Sequence, residues 1–212
     1  MRDNTLGIYK YGSCNINSLI NALNIISANY KVSENLDELL SYKKIIFPGV
    51  GNMKNLHENE IKNISKKINK YVKNGGFVFG ICLGLQLLFE FSEESNSNTV
   101  GLLKGKCISI KKDFDLNLNV KYEKLEFTKD ILKNDLIQKL FKDIDLNSKF
   151  YFLHSYYCEN KEKNIIEVNS KLNEKYLPSF FLKENFLGTQ FHPELSNKAG
   201  IILLKNFYQL KY

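Results

Sequence analysis

"GGFVFGICLGLQLLFE", residues 75–90, sets a lone cysteine between two glycines at the end of an apolar run. Phe77 to Ile81 carries no polar side chain, as befits a strand buried on both faces of a parallel sheet. The residues from Leu83 onward read as a helix over "LGLQLLFEF" (83–91). Gly80, Cys82 and Gly84 stand in the G-x-C-x-G spacing of a nucleophile elbow. In such a strand-to-helix turn the central residue is held in a strained backbone, and glycines two positions away remove the side chains that would clash. Cys82 would then sit above the carboxyl edge of the sheet, where the unpaired N–H groups of a helix start favour a thiolate. The competing reading is a buried structural cysteine, and the paired glycines weigh against it.

Outward from the elbow, strands alternate with helices. "TLGIY" (5–9) reads as a first strand, with a helix over about "INSLINALNIIS" (16–27). "KKIIF" (43–47) is a second strand, stopped by "PGVGN", where Pro48 and two glycines force a loop. Helical spacing in "IKNISKKINKYVKNGG" puts Ile61, Ile64, Ile68, Tyr71 and Val72 on one face, with Gly75–Gly76 as a cap. After Val100 the chain is richer in strand patterns: "LLKGKCISI", "KFYFLHSYY", "NIIEVNS" and "FFLKENFLGTQFH". A last amphipathic helix covers about "AGIILLKNFYQL". This alternation predicts an α/β fold, a mainly parallel sheet with helices on both faces and an added antiparallel portion. One domain over 1–212 is expected.

The chain has 212 residues, 43% of them hydrophobic, enough for a full core. No apolar stretch is long enough to span a membrane, and "MRDNTLGIYKYG" lacks the apolar segment of a secretory signal. Cys14, Cys82, Cys107 and Cys158 are scattered, without a C-x-x-C pair for zinc or redox work. Reduced thiols in a cytoplasmic protein follow as the expectation. The net charge of +7 comes from lysines dispersed in mixed-charge runs, a solvated surface rather than a nucleic-acid patch. Neither a nucleic-acid nor a membrane partner is expected.

A cysteine nucleophile needs an imidazole, and the chain has three. His57, in "NLHENE", belongs to a polar, exposed segment. His154, in "YFLHSYY", lies on an aromatic strand, where a core or pocket-lining role is as open as catalysis. His192, in "TQFHPEL", has Glu194 two residues on. In an extended segment those two side chains share a side, so the carboxylate can fix the ring. Cys82, His192 and Glu194 then supply nucleophile, base and orienting acid for acyl transfer. Taken alone, "HPE" also reads as a loop with a chance His and Glu; the elbow upstream weighs against that.

Together, "GICLGLQ" and "FHPE" resemble the class I glutamine amidotransferases, whose glutaminase domain carries a Cys-His-Glu triad. "IIFPGVGN" and "YFLHSYY" are similar to the HisH-like members, glutaminase subunits of imidazole glycerol phosphate synthase. "YGSCNINS" (11–18) resembles their Y-G-x-G-N opening, with Cys14 where a glycine is usual. The resemblance runs from about residue 6 to about 209 and implies a flavodoxin-like three-layer α/β/α fold. By position it implies that Cys82 is the nucleophile, His192 the general base and acid, and Glu194 the orienting carboxylate. Gln86, Glu94, Ser155 and Tyr156 match positions that hold substrate glutamine. Gly49, Val50 and Gly51, with the N–H of Leu83, match the oxyanion site. The implied reaction converts L-glutamine to glutamate and ammonia with no metal or organic cofactor. The ammonia would pass to a cyclase or synthase subunit in a heterodimer, for histidine biosynthesis.

Two stretches depart from that group. Its mid-chain P-H-M-G-W-N segment is replaced by about "NLNVKYEKLEF" (117–127), and the chain has no tryptophan. The residue after "HPE", usually basic, is Leu195. Both positions belong to the group's contact surface with its partner. A HisH-like glutaminase feeding a sugar-amidinating synthase is therefore an alternative. A non-catalytic regulatory or binding protein on the same fold is the alternative of another class, which the intact Cys82, His192 and Glu194 disfavour.

Overall fold

The strand that ends at Cys82 lies in the middle of a nine-stranded sheet in the computed structural model, which describes residues 4–12, 16–49, 51 and 53–211, with residue 55 through its backbone alone. Strands β1 (Leu6–Tyr9), β2 (Tyr30–Ser33), β3 (Lys44–Phe47) and β4 (Phe77–Ile81) are parallel in the spatial order β2-β1-β3-β4. The last strand of the chain, β13 (Phe186–Thr189), joins β4 as the next parallel neighbour. Beyond it the sheet continues antiparallel through β12 (Lys175–Lys183), β11 (Ile166–Leu172), β8 (Asn119–Glu126) and β9 (Lys149–His154). A second sheet has the order β10-β7-β5-β6, from β10 (Tyr156–Asn160), β7 (Gly105–Ser109), β5 (Phe91–Ser92) and β6 (Ser97–Asn98). The expected mainly parallel sheet with an antiparallel addition is present.

Because the central strands are covered on both sides, their side chains alternate between two cores. Phe77, Phe79 and Ile81 face one layer, which contains α1 (Asn17–Ile25), α6 (Asp135–Leu140) and α7 (Asn197–Gln209). Val78, Ile45 and Phe47 face the other, with α2 (Leu36–Leu39), α3 (Glu58–Lys73) and α4 (Leu83–Leu87). This is the three-layer α/β/α arrangement. In the first core Phe207 of α7 sits edge-on to Phe77 and Phe79, at 5.4 and 4.9 Å between ring centres. Each such buried phenylalanine contributes about 1.5–3 kcal/mol. Lys44 ties β3 to the same helix: its Nζ donates to the Phe207 and Tyr208 carbonyls at 2.9 and 2.6 Å, where a helix carries negative partial charge. Burial, with Lys43 nearby, brings the Lys44 ammonium down to about 8.

In α3, Ile61, Ile64, Ile68 and Tyr71 are buried as their spacing requires, while Val72 is half-buried at the margin. The helix ends where Gly75 takes φ +84°. Other segments differ from expectation. The helix after the elbow stops at Leu87 rather than Phe91, because Glu90 pairs with the second sheet, its N–H donating to Gly105 O at 3.2 Å. "KFYFLHSYY" forms two strands, β9 and β10, divided at Ser155 and committed to different sheets. "LLKGKCISI" ends in a short helix, α5 (Ile110–Phe114), and "FFLKENFLGTQFH" folds into the β12–β13 hairpin. Strand β2 and helices α2 and α6 were not anticipated. Cys82, Cys107 and Cys158 are free thiols, and Cys14 lies outside the described residues. No helix among the described residues is long and apolar enough to cross a membrane.

The elbow is the tightest point of this packing. A Cβ on Gly84 would lie 2.0 Å from the Phe47 carbonyl oxygen, and one on Gly80 would lie 2.8 Å from Leu85 Cα. Gly84→Ala is therefore expected to lower stability by about 3 kcal/mol in urea unfolding, the upper range for overpacking against backbone. Gly75→Ala, with open space around it but positive φ, should lose only about 1–2 kcal/mol.

Candidate active site

Cys82 adopts φ +48° and ψ −106°, a conformation that L residues rarely hold. It is fixed from both sides. Its N–H donates to Thr189 O at 2.7 Å, and its carbonyl accepts the Gln86 N–H at 3.0 Å, opening α4. The loop after β3 closes on the same turn. At Gly49 an added Cβ would fall 1.7 Å from Ile81 O and 2.6 Å from Leu83 N, so only glycine fits against the elbow. The Pro48 carbonyl accepts a hydrogen bond from Tyr11 Oη at 2.5 Å, which pins the loop to the chain leaving β1. Val50, expected to share the oxyanion site, lies outside the described residues.

His192 leaves the end of β13 and is fully buried. Its N–H donates to Tyr151 O at 2.8 Å, and its carbonyl accepts from Ser196 Oγ at 2.5 Å. Glu194 Oε1 meets His192 Nδ1 at 2.8 Å. The pairing argued from an extended segment is formed, but across a 3-10 turn, Pro193–Leu195, rather than along a strand. With Nδ1–H directed to Glu194, Nε2 is left without a hydrogen-bond partner among the described residues. Burial alone would push the ring toward neutrality. The Cys82 sulfur and the Glu194 carboxylate outweigh it and hold the His192 pKa well above the ordinary histidine value. An imidazolium beside a thiol favours the thiolate, which is the nucleophilic form.

Cys82 and His192 border a cavity of about 220 Å³. Gly49, Gly51 and Leu83 reach it from the elbow side, and Gln86 from the next turn of α4. Ser155 and Tyr156 reach it from the bend between β9 and β10. Glu94 also lines it; its carboxylate accepts the Met53 N–H at 3.3 Å, and burial holds its pKa above the usual range. His57 is exposed at the start of α3 and is no part of the cavity. A larger cavity, about 830 Å³, lies between α2 and α3 at the opposite edge of the sheet and contains none of these groups. Among the described residues no cluster of His, Cys, Asp or Glu is set to hold a metal ion.

Sequence reasoning left His154 undecided and missed Leu118, Leu153 and Gln190. His154 lines the cavity, with Nε2 at 2.9 Å from Asn119 Nδ2 and Nδ1 at 2.9 Å from Tyr156 O. Burial, reinforced by the charge of His192 and only partly offset by the bond to Tyr156 O, brings its pKa down to about 3. Gln190 Nε2 lies 3.6 Å from Cys82 Sγ, and the sulfur is 3.7 Å from Leu153 O. The available signal for Gln190 was its place two residues before His192, on a strand end where a buried polar side chain needs a reason.

Residues 8–210 match the family model for "Glutamine amidotransferase class-I". The chain is similar to the imidazole glycerol phosphate synthase subunit HisH of Methanocaldococcus jannaschii, 35% identical over 206 residues, 97% of this chain and 99% of that one. The subunit of the same name from Haemophilus influenzae is 36% identical over 203 residues, 93% of this chain and 94% of that one. A solved glutamine amidotransferase shares the fold with a TM-score of 0.68 at 15% identity, covering 95% of this chain and 98% of that one.

The two buried histidines give opposite pH dependences. His154, depressed to about 3, stays neutral when folded but takes a proton when unfolded, so stability falls as pH drops below about 6.5. His192 is raised, so its contribution is complete below that pH and is lost as pH climbs through its folded value. The unfolding free energy of the parent, from urea titrations between pH 4.5 and 6.5, should carry an extra slope approaching about 1.4 kcal/mol per pH unit relative to His154→Gln. Equal slopes would mean that the folded chain protonates His154.

Proposed function

The chain belongs to the class-I glutamine amidotransferases, and from that premise we propose that it is the glutaminase subunit of an imidazole glycerol phosphate synthase. It hydrolyses L-glutamine and passes the ammonia to a partner subunit. The observation that carries this reading is the His192 ring, held by Glu194 at 2.8 Å, with Nε2 unpaired in the cavity that the strained Cys82 also lines.

In the proposed reaction the Cys82 sulfur attacks the side-chain amide carbon of glutamine. N–H groups of Leu83 and the Gly49–Gly51 loop receive the negative charge that develops on oxygen. His192, protonated, gives its proton to the departing ammonia and leaves a γ-glutamyl thioester. The same ring, now neutral, takes a proton from water as it attacks, and glutamate leaves with the thiol restored. Glu194 keeps Nε2 aimed throughout. Glu94 is the only carboxylate among the described residues lining the cavity, which suits it to the ammonium group of the substrate. Both hydrogens of Gln86 Nε2 point to protein acceptors, leaving its Oε1 for the ligand. None of these steps calls for a metal or an organic cofactor.

Beside the cavity, Leu118, just before β8, and Val120 and Tyr122 on β8 are exposed, and Tyr122 Oη donates to Leu195 O at 3.1 Å. This apolar face supports a partner subunit seated over the site, so that ammonia leaves without crossing solvent. The two HisH relatives support the histidine-pathway acceptor. Work in the cytoplasm fits the free thiols.

Cys82→Ala should abolish glutamine-dependent ammonia release, by about 10⁴-fold or more, yet leave the partner's reaction with added ammonium intact. His192→Ala should fall nearly as far and Glu194→Gln less, while His57→Ala keeps parental turnover. Ammonia release surviving in Cys82→Ala would defeat the assignment. Mixed with the host's own cyclase subunit and its phosphoribosyl substrate, the chain should gain tenfold or more in glutamine turnover, a bias of about 1.4 kcal/mol. Stimulation by a sugar-modifying synthase instead, with no binding to the cyclase, would move the acceptor to that class.

A further inference from the structure

Gln190 has no part in the scheme above, yet it is polar, fully buried and in contact with the nucleophile. Its Oε1 lies 3.3 Å from Gln86 Nε2 and its Nε2 lies 3.6 Å from Cys82 Sγ. Gln86 Nε2 also donates to Tyr156 O at 2.9 Å. That carbonyl takes a second bond from His154 Nδ1, and the far nitrogen of the ring meets Asn119 Nδ2. A continuous chain of hydrogen bonds thus joins Asn119, next to the exposed Leu118 and Val120 at the start of β8, to the Cys82 sulfur.

An amide side chain can be turned end for end, so the end that faces the sulfur has to be argued. The anchor is Tyr156 O, because a main-chain carbonyl only accepts. It demands N–H from both His154 Nδ1 and Gln86 Nε2. His154 is neutral, so its Nε2 carries no proton and accepts from Asn119. Gln86 turns its NH₂ toward Tyr156 and has one hydrogen left for Gln190. Gln190 must answer with Oε1, which turns its own NH₂ onto Cys82. The donor at the sulfur is therefore set by a backbone carbonyl on the far side of Gln86.

We propose that Gln190 is a positioning residue that donates an N–H to the Cys82 sulfur, holding it in place and stabilising it as thiolate. A hydrogen bond to a charged acceptor is about twice as strong as one between neutral groups, so the bond strengthens when the sulfur ionises. The other titratable groups facing the sulfur are His192 with its Glu194, Glu94 across the cavity, the neutral His154, and the Cys158 thiol of β10. Replacing Gln190 leaves all of them in place. The consequence for turnover rests on the glutaminase reading; the bond itself does not.

Gln190→Leu removes both polar ends at similar volume. Alkylation of Cys82 by iodoacetamide, followed by peptide mass, reads the thiolate directly as a function of pH. In Gln190→Leu the pH of half-maximal alkylation should rise by about one unit. Glutamine kcat should fall about tenfold while KM stays within about twofold, since Gln190 does not line the cavity. Gln190→Glu keeps the shape but turns a charged acceptor to the sulfur, and its profile should move further the same way. An unmoved alkylation profile in either variant, with a thermal melt like the parent's, would overturn the proposal. If the parent releases no ammonia from glutamine with partner present, the glutaminase reading fails, and the alkylation profile still decides the role of Gln190.

Discussion

The site depends on the parallel pairing of β4 with β13. That register sets Thr189 beside Ile81, and the Cys82 N–H continues it by donating to Thr189 O at 2.7 Å. The two strands leave the sheet at one edge and at one level. One turns into α4 at the elbow and the other into the 3-10 turn that carries Glu194. Sequence-distant Cys82 and His192 meet because their strands are neighbours. Since side chains alternate along a strand, a slip of one residue would turn Leu187 and Thr189 to the opposite face and carry His192 away from the elbow. The loops after β1 and β3 arrive at the same carboxyl edge, where Tyr11 Oη meets Pro48 O. Open α/β sheets bind ligands there because strands end together and helices begin.

The backbone at Cys82 is the strained element of this edge, and such conformations cost about 1–3 kcal/mol. What holds it is the rigidity around it. β4 is buried along its whole length, and its last carbonyl is pressed by Gly49. Relaxing Cys82 into an ordinary conformation would break the bond to Thr189 O and drive α4 into Phe47. The strain therefore persists as a consequence of the core rather than of any ligand. It also aims the sulfur into the cavity instead of into the sheet.

How much of this was legible in the sequence follows from the range over which each feature is encoded. The elbow and the His-Glu pair are written within five residues each, so spacing alone exposed them. The three-layer plan was legible because β1, β3 and β4 are wholly buried and α3 keeps one clean apolar face. Strand β2 was missed because it is a four-residue edge strand with no fully buried side chain. The division of "KFYFLHSYY" was illegible for another reason. Nothing local marks Ser155 as a break; its carbonyl accepts the Ile110 N–H, and Tyr156 O is claimed by His154 and Gln86. The end of α4 is likewise decided by Gly105, far along the chain. Gln190 escaped because its side-chain partners, Cys82 and Gln86, belong to the elbow segment far back along the chain.

His154 and His192 show how one residue type is given two tasks by its surroundings. Both are buried, and burial disfavours the charged ring in each. His154 is bordered by a carbonyl and an amide, which satisfy a neutral ring and hold it in one tautomer. His192 is bordered by a carboxylate and a thiol, which are worth most to a charged ring. The separation is self-reinforcing, because a charged His192 further disfavours charge on His154. A site with two imidazolium rings would repel itself, and one with two neutral rings would leave Glu194 as an unmatched buried carboxylate. The arrangement with one of each satisfies the carboxylate, the carbonyl and the thiol together. It places the single mobile proton on Nε2 of His192, facing the cavity where an amide nitrogen would have to receive it.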